Sequence, residues 1–214
     1  PLSSRSALGR KRELNPFLQL RNVFSNPLSR RLCLAFFMFF MAFNGFTAVL
    51  VLYLKEAFSW SPQQSSQAFV VVGVVAMVVQ GGLIGPLVKL FGEWRLTLAG
   101  IGFVIAGCTL LTLAKDENSI PMVFSSVAVL AIGTGLVTPC LRALISRRLN
   151  YSGQGAVLGS LQGLQSLGTF VGAGAAGLCY DLLGPKSPFL GSIALLVLVI
   201  TFVSGNQGTH HKKS

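Results

Sequence analysis

Few side chains in this sequence could do chemistry away from water, and nearly all of those are amides. Asn44, Gln80, Gln162 and Gln165 stand within long apolar runs. An amide offers donors and acceptors but neither ionises nor attacks, so these residues can hold a ligand and not transform it. The groups that could transform one lie elsewhere. The six acidic residues, Glu13, Glu56, Glu93, Asp116, Glu117 and Asp181, fall in loops, at the ends of apolar runs or in the N-terminal segment, and the 2 histidines, His210 and His211, lie in a polar tail. With no GxSG nucleophile and no acid or histidine inside an apolar run, the chain is expected not to be an enzyme and to need neither metal nor cofactor. Cys33, Cys108, Cys140 and Cys179 form no CxxC pair and lie in or beside apolar sequence, as small packing residues do.

The stretch from Gly153 to Asp181, GQGAVLGSLQGLQSLGTFVGAGAAGLCYD, holds two of those amides among many glycines. Gly155, Gly159 and Gly163, then Gly168 and Gly172, recur four apart, a spacing that lets a second helix come close, so they are expected to form a packing seam. Gln162 and Gln165 need another account, because a polar side chain in hydrocarbon costs free energy unless it faces protein or a water-filled cavity. Asn44, in the middle of a phenylalanine-rich run, fits a cavity lining and a buried hydrogen-bonded partner equally well. For Gln80 a helix-packing contact is an equal alternative. Phe40 would add aromatic surface to a wall made by these amides. An apolar wall with few polar anchors suits a small amphipathic organic solute better than a phosphate or a simple ion.

The elements that position these residues are membrane spans. Of 214 residues 52% are hydrophobic and 11% charged, with a mean hydropathy of +0.67, against roughly a quarter charged in a soluble domain. Six windows are long enough to cross about 30 Å of hydrocarbon: Leu32 to Leu54, Ser66 to Val88, Leu96 to Ala114, Ile120 to Leu141, Gly155 to Leu178 and Phe189 to Ser204. Of the 17 lysines and arginines, all but Lys55, Lys115 and Lys186 fall in the N-terminal segment, the second and fourth loops and the tail. That bias predicts cytoplasmic termini. It also accounts for the net charge of +11 without a nucleic-acid partner. Arg142, Arg147 and Arg148 are expected to close the fourth span at its cytoplasmic end.

Three parts follow: a basic linker over residues 1–31, a six-helix bundle over 32–204 and a cytoplasmic tail over 205–214. The linker carries Phe17, Leu18, Val23 and Phe24 among arginines, as a helix on the lipid surface or an ordinary connection would. Ser61 and Pro62 have the form of an N-cap and first helical residue. Gly85 and Gly92 point to a tight connection between the second and third spans, since glycine permits close approach and positive φ. Pro139 is expected to bend the fourth span, with Thr134 and Thr138 bonding to the loosened backbone or to a ligand. The third span, whose most polar central group is Thr109, is expected to be scaffold. Asn150-Tyr151-Ser152 matches a glycosylation triplet but falls on the cytoplasmic side of this topology.

These features resemble the C-terminal half of a major facilitator superfamily transporter, closest to the drug:proton antiporters that include the tetracycline exporters. GPLVKLFG with Arg95 resembles the degenerate second copy of the loop motif GxLaDRxGRR, with Lys89 where the motif has aspartate. The fifth window and its YDLLGPKSPF exit are similar to the penultimate helix of these exporters, and the linker with Asn15-Pro16 and Asn26-Pro27 to the loop between halves. The resemblance implies an all-α membrane fold of six helices in a 3+3 inverted repeat, with a solute site near mid-membrane formed with a missing N-terminal six-helix half. It implies alternating access and proton-coupled export of small organic solutes, the protons passing through that other half, in a plasma or inner membrane with lipid as the remaining partner. Gly85, Gly92 and Arg95 would then serve helix packing and gating. A different class of protein also fits the composition, a self-contained and dimeric six-helix scaffold or intramembrane protein without transport activity.

Overall fold

The computed structural model describes residues 27–114, 120–148 and 154–204, and every element it describes is a helix. They are α1 (Pro27–Phe58), α2 (Pro62–Val78), a π-helical turn (Val79–Leu83), α3 (Ile84–Leu113), α4 (Ile120–Arg148), α5 (Gln154–Leu183) and α6 (Ser187–Ser204). Five continuous helical stretches are long and apolar enough to cross a membrane, against the six expected windows. The difference lies in Pro62–Leu113, where the second and third windows run together. Within it Gly92 has φ 79° and ψ 155°, outside helical geometry, and so marks the expected connection. Gly85, its expected partner in that connection, is helical and has open space around it.

Local chemistry explains most of the boundaries. At α2 the Ser61 hydroxyl accepts from the Gln64 N–H at 3.3 Å, the Gln64 side chain accepts from the Ser61 N–H at 2.9 Å, and Pro62 follows as the first helical residue. The π turn sits just ahead of Pro86. That proline has no N–H to offer the Gly82 carbonyl, and its ring crowds it, so the turn widens where Gly81 and Gly82 resist it least. In α4 the helix continues through Pro139, and Thr134 donates to the carbonyls of Leu130 at 3.0 Å and Ala131 at 3.2 Å, on the backbone side of the two expected alternatives. The first helix starts at Pro27 rather than Leu32, which takes the last residues of the expected linker into α1. Residues 1–26, 205–214 and the glycosylation triplet lie outside the described residues.

Helix α1 is central, packed against α5 and α6, while α3 packs along α4 and also meets α6, and α2 lies on α4. Phe36, Phe39, Phe46 and Phe189 fill the core between α1 and its neighbours. Two buried hydrogen bonds tie the layers: Tyr53 donates to the Leu111 carbonyl at 3.3 Å, and Ser192 to the Ala42 carbonyl at 3.0 Å. Close backbone approach needs glycine at two seams. A Cβ on Gly172 would lie 2.1 Å from the Met41 carbonyl oxygen, and one on Gly133 would lie 2.6 Å from the Gly100 carbonyl oxygen. The third window thus packs through Gly100 and Gly107 against α4, in keeping with a scaffold role. Cys33, Cys108 and Cys140 are buried as free thiols.

Candidate functional site

Two of the four amides, Gln162 and Gln165, come together between α4 and α5, and the centre of their cluster is a residue expected elsewhere. Arg142 does not extend to the end of α4. Its Nη2 donates to Gln162 Oε1 at 3.3 Å and to Gln165 Oε1. Helix direction explains the meeting. Side chains lean toward the N-terminus of their helix, so Arg142 on α4 leans away from the α4–α5 connection while the glutamines of α5 lean back toward it. Arg142 lies six residues before Arg148, and Gln165 eleven after Gln154, or roughly 9 Å and 16 Å from the shared end at about 1.5 Å per residue. The guanidinium spans the difference.

Arg142 is half-buried, Gln165 half-buried and Gln162 exposed, so the cluster has a closed side and an open one. The Arg142 Nε atom is buried without a hydrogen-bond partner. Among the described residues no carboxylate lies within ion-pair distance of Arg142, because the acid at this end of the bundle, Glu93, is paired with Arg147 at 2.9 Å. That pair joins the start of the third window to the end of α4. With Arg147 74% exposed it adds little stability, about 0–1 kcal/mol. Arg95 is exposed, on the turn that follows the Gly92 break.

The other expected ligand groups lie apart from this cluster. The Asn44 amide donates to its own helix, to the Phe40 carbonyl at 2.9 Å, and so meets part of its hydrogen-bonding need without a ligand. Phe40 is 3% exposed, packed on Phe36 and Phe39 and against Gly168; it belongs to the α1–α5 core rather than to an open wall. Gln80 is exposed on the π turn, beside Gly135 of α4.

The glycine seam divides in two. Gly168 and Gly172 lie against the α1 backbone at Phe37 and Met41, but a Cβ on Gly159 or Gly163 would meet no neighbouring helix within 4 Å. Gly159 and Gly168 are nine residues apart, two and a half turns at about 3.6 residues per turn, and so face opposite ways. The surroundings of Gly155 lie outside the described residues. Arg142 was open to sequence reasoning in one respect: it stands six residues inside its helix, among apolar neighbours, rather than at the end with Arg147.

Comparison with known proteins places this geometry in a family. Residues 32–213 match the family model described as Major Facilitator Superfamily. The chain is 29% identical over 161 residues to the tetracycline resistance protein, class C, of Escherichia coli, covering 75% of this chain and 40% of that protein. It is 24% identical to the human hippocampus abundant transcript 1 protein, covering 78% of this chain and 34% of that one. Among solved structures, the human organic anion transporter MFSD10 (TETRAN) superposes with a TM-score of 0.72 at 23% identity, over 83% of this chain and 40% of that one. The chain thus spans well under half the length of these relatives.

Proposed function

Because this chain belongs to the Major Facilitator Superfamily and is an integral, multi-pass membrane protein, we propose that it moves small organic solutes across the membrane by alternating access, in proton-coupled export. It does so as the C-terminal half of a longer transporter. The observation that supports this reading most is the cluster of Arg142, Gln162 and Gln165, polar groups gathered at depth between apolar helices with one side open. Polar side chains so placed carry a large desolvation cost, and they occur where they meet a solute path or one another.

In this reading the 52-residue stretch Pro62–Leu113 crosses twice, since as one straight helix it would reach roughly 78 Å through about 30 Å of hydrocarbon. The Gly92 break is its turn. Six spans then form the 3+3 inverted repeat, with both termini cytoplasmic as the lysine and arginine distribution favours. The open faces of α2 and α5 meet a second six-helix unit that carries the proton-linked acids. The relatives named as tetracycline resistance proteins support export as the direction. We read no catalytic role here.

The test is tetracycline accumulation by inverted vesicles containing the full-length parent, with and without an imposed pH gradient. Accumulation that follows the gradient and collapses with it is expected. Movement indifferent to the gradient would remove the antiport assignment.

A further inference from the structure

We propose that Arg142, together with Gln162 and Gln165, forms a binding site for an organic oxyanion such as a carboxylate or enolate, so that the transported solute bears a negative charge where it meets this wall. The inference rests on the transport reading only for the identity of the ligand as the transported solute. Three features carry it. The first is depth. An arginine a turn and a half from a helix end ordinarily extends its charged head outward to water, yet Arg142 reaches inward to Gln165.

The second feature is charge. Arginine remains protonated in a protein, and the two glutamine oxygens offer it dipoles without a countercharge. Among the described residues no charged group supplies one. On α4 Arg147 is basic, and Glu93 at the start of the third window is occupied by Arg147. Glu56 accepts a hydrogen bond from Tyr180, near Asp181 at the far end of α5. Asp181 lies sixteen residues along α5 from Gln165, roughly 24 Å.

The third feature is an unfilled donor. Arg142 Nε is buried and unpartnered, a costly arrangement that a ligand can relieve. Because Gln162 is exposed, its bond to Nη2 lies at the open edge of the cluster and, at 3.3 Å, is long. A carboxylate entering there replaces the Gln162 oxygen on Nη2 and, with a small rotation of the planar fork, takes Nε with its second oxygen. Gln165 keeps the arginine in place. The neutral bond is exchanged for a bidentate, charge-assisted pair, the geometry in which guanidinium and carboxylate fit best.

Isothermal titration of the purified full-length protein in detergent tests this with three probes of one shape: 1-naphthoate, the neutral 1-naphthamide and the cationic 1-naphthylmethylamine. The acid is expected to bind about tenfold tighter than the amide, as a charge-assisted pair in place of a neutral bond would give, with the amine weakest. Arg142→Gln should bring acid and amide within about twofold, and Arg142→Lys, which keeps the charge but not the fork, should give an intermediate ratio. If Arg142→Gln does not fold, the wild-type series and Arg142→Lys still decide the matter. Equal binding of acid and amide to the wild type, binding of neither, or an undiminished preference in Arg142→Gln or Arg142→Lys would overturn the site. Binding is measured without transport, so an acid preference alongside gradient-indifferent vesicles would count against proton-coupled export and not against this site.

Discussion

Of the four amides within the apolar runs, Gln165 has the most to lose on truncation. It holds Arg142 from the closed side of the cluster, whereas Asn44 hydrogen-bonds its own helix and Gln162 lies at the open edge. Gln165→Ala is therefore expected to lower solute transport in vesicles about tenfold or more, since it frees a half-buried guanidinium from its inner partner. Asn44→Ala should have a smaller effect, and Thr109→Ala, on an exposed hydroxyl bonded to the Ile105 carbonyl, should have none at equal expression. Equal losses from Gln165→Ala and Thr109→Ala would assign Gln165 to packing alone. Phe40 illustrates a different limit. Its aromatic type fits a ligand wall and a helix interface alike, and only its 3% exposure separates them.

At the scale of helices, the two glycine faces of α5 make opposite predictions. Gly172→Ala puts a methyl group where the Met41 carbonyl oxygen already lies, so α1 and α5 must separate, at a cost of about 1–3 kcal/mol. Gly163→Ala meets open space within this chain and, measured on this chain in detergent without a second unit, should leave the thermal unfolding midpoint unchanged or slightly raised, because alanine favours a helix more than glycine does. Similar midpoints for both variants would contradict the α1–α5 seam. Gly92 is a third case, in which the backbone and not the neighbour is decisive. Its φ of 79° lies in the left-handed region, while a Cβ there would meet no atom within 4 Å. Gly92→Ala should therefore cost about 1–3 kcal/mol through strain alone, measurable as a lower midpoint with no change in helix content.

For the molecule as a whole, the distribution of exposed apolar surface is the informative quantity. Val70, Val74 and Met77 on α2 and Leu167, Phe170 and Leu182 on α5 are exposed, as is Phe103 on α3. If a second six-helix unit meets the α2 and α5 faces, a nitroxide label at Gly163→Cys in the full-length parent should be shielded from membrane-dissolved oxygen. A label at Phe103→Cys, on a helix whose other side is packed on α4 and α6, should remain accessible. Equal oxygen accessibility at the two positions would mean that α5 faces lipid. Residues 1–26 of the expected linker over 1–31, and the expected tail over 205–214, lie outside the described residues.

Composition and spacing by themselves determined the membrane-spanning helices, the capped start at Ser61 and the glycine-permitted break at Gly92. Each follows from local physics, namely desolvation of the backbone, capping of free N–H groups and the steric cost of positive φ. They also singled out Gln162 and Gln165 as polar groups in need of a partner. What the tertiary structure alone decided was the partner. A charge near a helix end serves equally well as a topology signal or as half of a buried contact, and the choice depends on how the neighbouring helix is rotated about its axis. Rotation is set by close approach at Gly168 and Gly172, which brings one face of α5 against α1 and turns Gln162 and Gln165 toward Arg142.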